Sequence, residues 1–389
     1  MEHNRPSRRK RACIFIPLGV LLFIIVLVSA FALSNLGLPQ HSTIVEQLSE
    51  IEKTRLSEVL HLRSSLGEAT WPGWAQVDIP LIAYNEKYAF LVGYPNPPDG
   101  WMKIPTMEPR GGAWEQVPGD QFEGQPYYRT LITDSSQTPQ AFTVRVGDRW
   151  VASFMTREYS QVAFYAGFRQ DFPPFIANFI PVRLLWALIM GKTETHIAAF
   201  EHEAFHAYEG SLAQNRLIEA ESMYDVEAGY PYDKMEYAWY QEMNILVQAA
   251  QAKTDEEAMN FARQFLQMRL SRRAGLSAAQ VKLERLREWE EGLAKYAELE
   301  ITRQAGSTNQ YIPIKGMSQD KSFHSYQGQQ AYWAEQLKEA KNPNISGDTR
   351  FYYSGNALAV VLDRLMPGWK PRALPGGEFL DELLQEAVR

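Results

Sequence analysis

Between Arg11 and His41 the chain carries no charged residue. A run this apolar has to be withdrawn from water, and a helix over residues 12–33 would rise roughly 30 Å, the thickness of a bilayer's hydrocarbon core. Arg5, Arg8, Arg9, Lys10 and Arg11 stand just before it. Basic residues flanking a span stay on the cytoplasmic side. The reading is a single-pass membrane protein with a cytoplasmic N-terminus, the lipid bilayer as a partner through this helix, and everything downstream periplasmic or extracellular. A cleaved signal peptide is the alternative, because Ala30-Phe31-Ala32 has the small-x-small form of a cleavage site. The length of the run favours the anchor, and both readings export the rest. The only cysteine, Cys13, lies inside the run. That excludes an intrachain disulfide and any cysteine-ligated metal, so a metal would have to be held by His, Asp or Glu.

Beyond the apolar run the sequence changes character twice. Residues 42–70 carry Ile44, Leu48, Ile51, Val59, Leu62 and Leu66 at loosely helical spacing, which reads as a juxtamembrane helix or stalk. Residues 71–170 alternate short apolar runs (77–83, 89–94, 130–133, 141–146, 150–155) with turns such as Pro95-Asn96-Pro97-Pro98-Asp99-Gly100, the pattern of strands and hairpins. Residues 171–389 are mainly helical, with helix-period apolar residues over 197–217, 234–252, 255–271 and 278–303 and Ser277 as an N-cap. Residues 182–191 are apolar but short and contain Arg183, so they read as buried core. With residues 1–41 as basic tip and anchor, the expected fold class is α+β: a transmembrane helix, a strand-rich region and a helical region. Lys and Arg number 39 against 46 Asp and Glu. Nothing in that balance would neutralise a phosphate backbone, which argues against nucleic acid as a partner.

His202-Glu203-Ala204-Phe205-His206 is an HExxH motif. Residues four apart on a helix share one face, so two imidazoles can chelate one Zn2+ from the same side. Glu203 is turned about 100° from His202. It can stand beside the metal without binding it and act as general base toward a metal-activated water. No Pro or Gly interrupts residues 195–209, and Ile197, Ala198, Phe200, Ala204 and Phe205 give the motif an apolar helical background. The bland alternative is a pair of packed histidines beside a solvated glutamate.

A third ligand is required. Position 209 is Glu and position 212 is Leu, which excludes the metzincin extension, so a downstream carboxylate must serve. Trp289-Glu290-Glu291-Gly292-Leu293-Ala294-Lys295-Tyr296 is the best candidate. Here the chain resembles the gluzincin superfamily, HExxH peptidases whose third ligand is a Glu in a Glu-Gly-x-Ala-x-Tyr segment. The resemblance implies that Glu291 binds the metal with His202 and His206, that Glu203 is the base, and that the substrate is a peptide or protein. Gly292, costly inside a helix, suggests a close backbone approach. The acid that often follows the third ligand by four positions is missing, since position 295 is Lys. Asp225 is a rival ligand at eighteen-residue spacing, with Glu219 and Glu221 weaker. Gly112-Ala113-Trp114-Glu115 has a faint likeness to an aminopeptidase substrate motif, which chance accounts for.

The resemblance also implies an oxyanion donor: a Tyr three residues before a Gly at the start of a helix, which selects Tyr352 ahead of Gly355. Tyr353 and His324 are the alternatives. Two other functions compete with a peptidase. A silent zincin-like envelope scaffold would be free to lose Glu203, which is present. An intramembrane protease would need the motif inside a span, but Lys192, Glu194, Glu209 and Arg216 flank it.

Overall fold

The structure is a computed structural model that describes residues 8–134, 138–140, 144–307 and 310–389, with side chains from residue 19 onward except Pro174. The chain runs through helices α1 (Arg8–Ser34) and α2 (Glu50–Thr70) into eight strands. These are β1 (Leu81–Tyr84), β2 (Tyr88–Val92), β3 (Trp101–Lys103), β4 (Glu108–Arg110), β5 (Glu115–Gln116), β6 (Tyr128–Leu131), β7 (Val144–Val146) and β8 (Arg149–Met155). Then come α3 (Arg157–Gln170), α4 (Pro174–Ala177), α5 (Val182–Ile189), α6 (Thr193–Glu221), α7 (Tyr224–Ala228), α8 (Tyr232–Gln251), α9 (Asp255–Arg273) and α10 (Ala278–Ser307). The last helices are α11 (Gln329–Glu339), α12 (Thr349–Leu365), α13 (Lys370–Ala373) and α14 (Leu380–Ala387). The architecture is α+β, in two compact units: residues 1–43 with 157–191, and residues 44–156 with 192–389.

In the larger unit the strands form one sheet in the order β4-β3-β7-β8-β1-β2-β6-β5. Among the described residues only β1 and β8 pair parallel, with Leu81 opposite Ala152 and Tyr84 opposite Met155. The central strands are buried, whereas both edges are short and polar; β4 includes Pro109, which cannot donate to a further strand. Helix α6 lies against β8: Phe154 meets Phe200 edge-on at 5.7 Å. Gly210 lets the two approach closely, since a Cβ there would stand 2.6 Å from the Trp150 ring. Residues 44–70 of the segment read as a stalk are packed into this unit. Ser49 caps α2 by accepting from the Glu52 amide at 3.2 Å, and Leu56, Val59 and Leu62 are wholly buried in the main core. Ser277 caps α10 as expected, in a reciprocal pair with Gln280.

The smaller unit corrects the first expectation. Residues 8–34 are helical, but among the described residues no helix is long and apolar enough to cross a membrane. The transmembrane helix, the single-pass topology and the exported location read from it are therefore not carried further. Arg5 lies outside the described residues, as do the side chains of Arg8, Arg9, Lys10, Arg11 and Cys13. Residues 182–191 also differ from the core segment expected. Val182–Ile189 form α5, which buries Val182 and Trp186 with Tyr165 and Leu38 but leaves Leu184, Leu188 and Ile189 exposed.

Helix α10 is the axis of the larger unit's helical half, packed on α6 along one side and α12 along another. It meets α12 through Gly292 against Gly355: a Cβ on Gly292 would lie 2.5 Å from the Gly355 Cα, and the reverse holds equally. In an exposed helix Gly→Ala gains about 1 kcal/mol. Here backbone blocks the new methyl, so Gly292→Ala should instead destabilise by roughly 2 kcal/mol or more. The denaturant midpoint decides the matter: an unchanged or raised midpoint would mean the two helices are not in backbone contact.

Candidate metal centre

Helix α6 presents the motif because its other faces are apolar. Phe205 sits between Trp71 and Trp74, ring centroids 5.1 and 5.3 Å away and edge-on, while Ile197, Phe200 and Ala204 are fully buried. With those faces committed, His202 and His206 project together toward α10. Their rings stand 4.7 Å apart, and their Nε2 atoms are 3.1 Å from each other. Glu291 arrives from α10, and its Oε2 is 3.3 Å from each Nε2. His202, His206 and Glu291 are thereby one buried group able to hold a metal ion.

The rival ligands are elsewhere or already engaged. Asp225 is exposed on α7, and Glu219 pairs with Lys282 at the surface. Glu221 does come close, forming a second candidate group with Glu290 and Glu291. That group already has its cation: Arg287 Nη1 is 3.1 Å from Glu221 and 2.8 Å from Glu290. The imidazole set is therefore the better metal site. Glu115 of the Gly112-Ala113-Trp114-Glu115 segment is exposed on edge strand β5 and belongs to neither group.

Glu203 is buried beside the imidazoles, and its Oε2 has no hydrogen-bond partner. Burial pushes its carboxyl up, the two imidazoles pull it down, and the balance is about 7. Tyr352 stacks on His202 with ring planes 4° apart and centroids 5.8 Å apart. Burial, then the Glu291 carboxylate, raise its hydroxyl far above the ordinary value, so it stays protonated and can donate. Tyr353 faces Lys295, 5.8 Å away. His324 is half exposed, 3.7 Å from Glu194, and is not part of the imidazole group.

Three neighbours escape motif reading. Glu209 Oε2 accepts from His206 Nδ1 at 2.8 Å. Glu298 Oε2 lies 3.2 Å from His202 Nδ1, and Lys295 Nζ is 2.8 Å from Glu298 Oε1. Glu209 is visible in the sequence only as the residue one turn beyond His206, and Glu298 as the residue two turns beyond Glu291. No family model, curated protein or solved structure matches this chain. The likeness to gluzincins rests on the motif residues alone.

Burial lowers the affinity of His202 for a proton, but Glu291 and Glu298 outweigh it and hold the pKa up at about 9. A folded pKa above the ordinary 6.5 favours the folded state below that value and loses the advantage as pH rises through about 9. The metal-free protein should therefore lose thermal stability between pH 6.5 and about 9, and His202→Gln should flatten that slope. Parallel pH profiles of the melting temperature for the two proteins would show the imidazole to be uncoupled from folding.

Proposed function

We propose that this protein is a zinc-dependent peptidase, with His202, His206 and Glu291 as ligands, Glu203 as general base and Tyr352 as oxyanion donor. The observation that carries the reading is the set of separations 3.1, 3.3 and 3.3 Å among two imidazole nitrogens and one carboxylate oxygen. Ligands about 2.0–2.1 Å from a tetrahedral ion stand about 3.3–3.4 Å apart, and two His with one Glu is a donor set that zinc uses in hydrolases. Three protein ligands leave one position for water, as catalytic zinc sites do. The gluzincin resemblance of Glu291-Gly292 and of Tyr352 ahead of Gly355 agrees with the same assignment.

Zinc, when bound, acts as a Lewis acid and makes a water acidic enough to attack a carbonyl near neutral pH. The chain's own groups supply the rest. The free Oε2 of Glu203 can take a proton and return it to a leaving amine, and a carboxyl balanced at about 7 suits both directions. The Tyr352 hydroxyl, protonated and next to Glu291, can donate to the negative charge that develops on a substrate carbonyl oxygen. Its stacking on His202 restricts where that hydroxyl can swing.

Two measurements test the roles separately. Glu203→Gln should keep one zinc per chain while losing roughly 10²–10⁴-fold in cleavage of a mixed peptide library read by mass spectrometry. A wild-type enzyme that binds zinc yet cleaves no peptide or unfolded protein would end the peptidase reading. Tyr352→Phe should lower kcat roughly 10²–10³-fold with zinc content intact, whereas Tyr353→Phe should be nearly silent. An unaltered kcat in Tyr352→Phe would remove that residue from the mechanism.

A further inference from the structure

Each imidazole is approached by a carboxylate on the nitrogen that faces away from Glu291. His206 Nδ1 has Glu209 at 2.8 Å, and His202 Nδ1 has Glu298 at 3.2 Å. Both carboxylates follow from helix geometry. Glu209 is three residues past His206 and so lies over the next turn of α6. Glu298 is seven residues past Glu291, two turns along α10 on nearly the same face. Ligand and orienting acid thus come from one rigid element in each case, or from a helix packed directly on it.

We infer that Glu209 and the pair Lys295–Glu298 are the positioning residues of this centre: Glu209 sets the His206 ring, Glu298 sets the His202 ring, and Lys295 holds Glu298. The inference rests on the metal-site reading above. A histidine ligand that donates its second N–H to a carboxylate is fixed in tautomer and orientation. The two arms are not equivalent. Glu209–His206 is a formed hydrogen bond, while Glu298 is at the right distance but off the line that a bond from Nδ1 requires, so that nitrogen has no formed partner.

Lys295 explains how this arrangement manages without an acid four residues past Glu291. An ammonium cannot accept from an imidazole N–H, so the acceptor has to come from another turn. Lys295 is instead turned to Glu298, whose other oxygen remains near His202. Glu298 is buried and Lys295 nearly so, and their opposite charges offset each other there.

The test is the zinc dissociation constant of the whole protein, measured by chelator competition, with the visible spectrum of the Co2+-substituted form as a second readout. Glu209→Ala and Glu298→Ala should each weaken zinc roughly 10–100-fold and alter the cobalt bands. Glu298→Gln, which keeps the volume and an acceptor oxygen, should recover most of the affinity. Lys295→Met should weaken zinc less, and should have no further effect in a Glu298→Ala background, because it acts through Glu298. Glu300→Gln on the same helix, which pairs with Arg303, is the control and should be silent. Wild-type protein that takes up no metal would remove the metal-site reading itself. Wild-type protein that binds zinc while Glu209→Ala and Glu298→Ala bind it equally well would leave that reading standing and overturn the positioning roles alone. A Gln variant as weak as the Ala variant would likewise count against orientation.

Discussion

Helix α10 meets helix α12 through bare backbone at Gly292 and Gly355, with no room for a single carbon between them. That contact sets more than a packing distance. Glu291 directly precedes one glycine, and Tyr352 precedes the other by three residues, about one helical turn. Fixing the two glycines against each other fixes the candidate third ligand against the candidate oxyanion donor. On its other side α10 packs on α6, whose orientation on the sheet is set by Gly210 over Trp150 and by Phe205 between two tryptophans. The imidazoles and Glu291 converge because three rigid elements meet there, and none of the site depends on a loop.

Around that axis the larger unit buries many charged side chains, and those between α8, α9 and α10 are paired. Arg269 reaches Glu242 at 2.7 Å and Glu288 at 2.7 Å, and Arg272 reaches Glu242 at 2.6 Å and Glu284 at 2.5 Å. Ser354 on α12 donates to the same Glu288 at 2.7 Å. Such pairs add little net stability over apolar packing, but removing one partner strands the other in a dry interior at about 3–5 kcal/mol. They act as registers: α8, α9, α10 and α12 can slide past one another only by breaking several pairs at once. Arg287 does the same at the edge of the candidate site, where it ties α10 to Glu221 at the end of α6 and to Glu227 on α7.

How much of this the sequence disclosed follows from how local each signal was. The motif face, the four long helices and the Ser277 cap depend on spacings of three or four residues, which survive any tertiary arrangement. Gly292 announced a close approach, but not that its partner would be α12, because a missing side chain does not say what fills its place. Strands β3, β4 and β5 went unseen. They are two or three residues long, too short to show alternation, and exist through pairing: β3 with β7, β4 with β3, and β5 with β6. The apolar run at the N-terminus and residues 182–191 misled for a related reason. Hydropathy reports which residues avoid water; it does not report what covers them or which faces of a helix a neighbour will take.

Glu298 and Lys295 show the limit of motif reading in chemical terms. A pattern that asks for an acid four residues past the third ligand finds lysine and registers a defect. The requirement itself is an acceptor oxygen within reach of an imidazole nitrogen, and a helix offers that at seven residues nearly as well as at four. Moving the acid one turn along then leaves a buried carboxylate in need of a counter-charge, and the vacated position can supply it. Lysine at 295 is therefore an expected companion of glutamate at 298. The same reasoning applies to the site as a whole. Glu203, Glu209, Glu291 and Glu298 surround two imidazoles, and without a metal their charge is met by protons, which is why both histidines are held above their ordinary value. A divalent ion would take over that compensation, so loading the centre must expel protons from the imidazoles. The surplus of buried carboxylates that holds protons on the histidines is the same surplus that would make the group attract a cation.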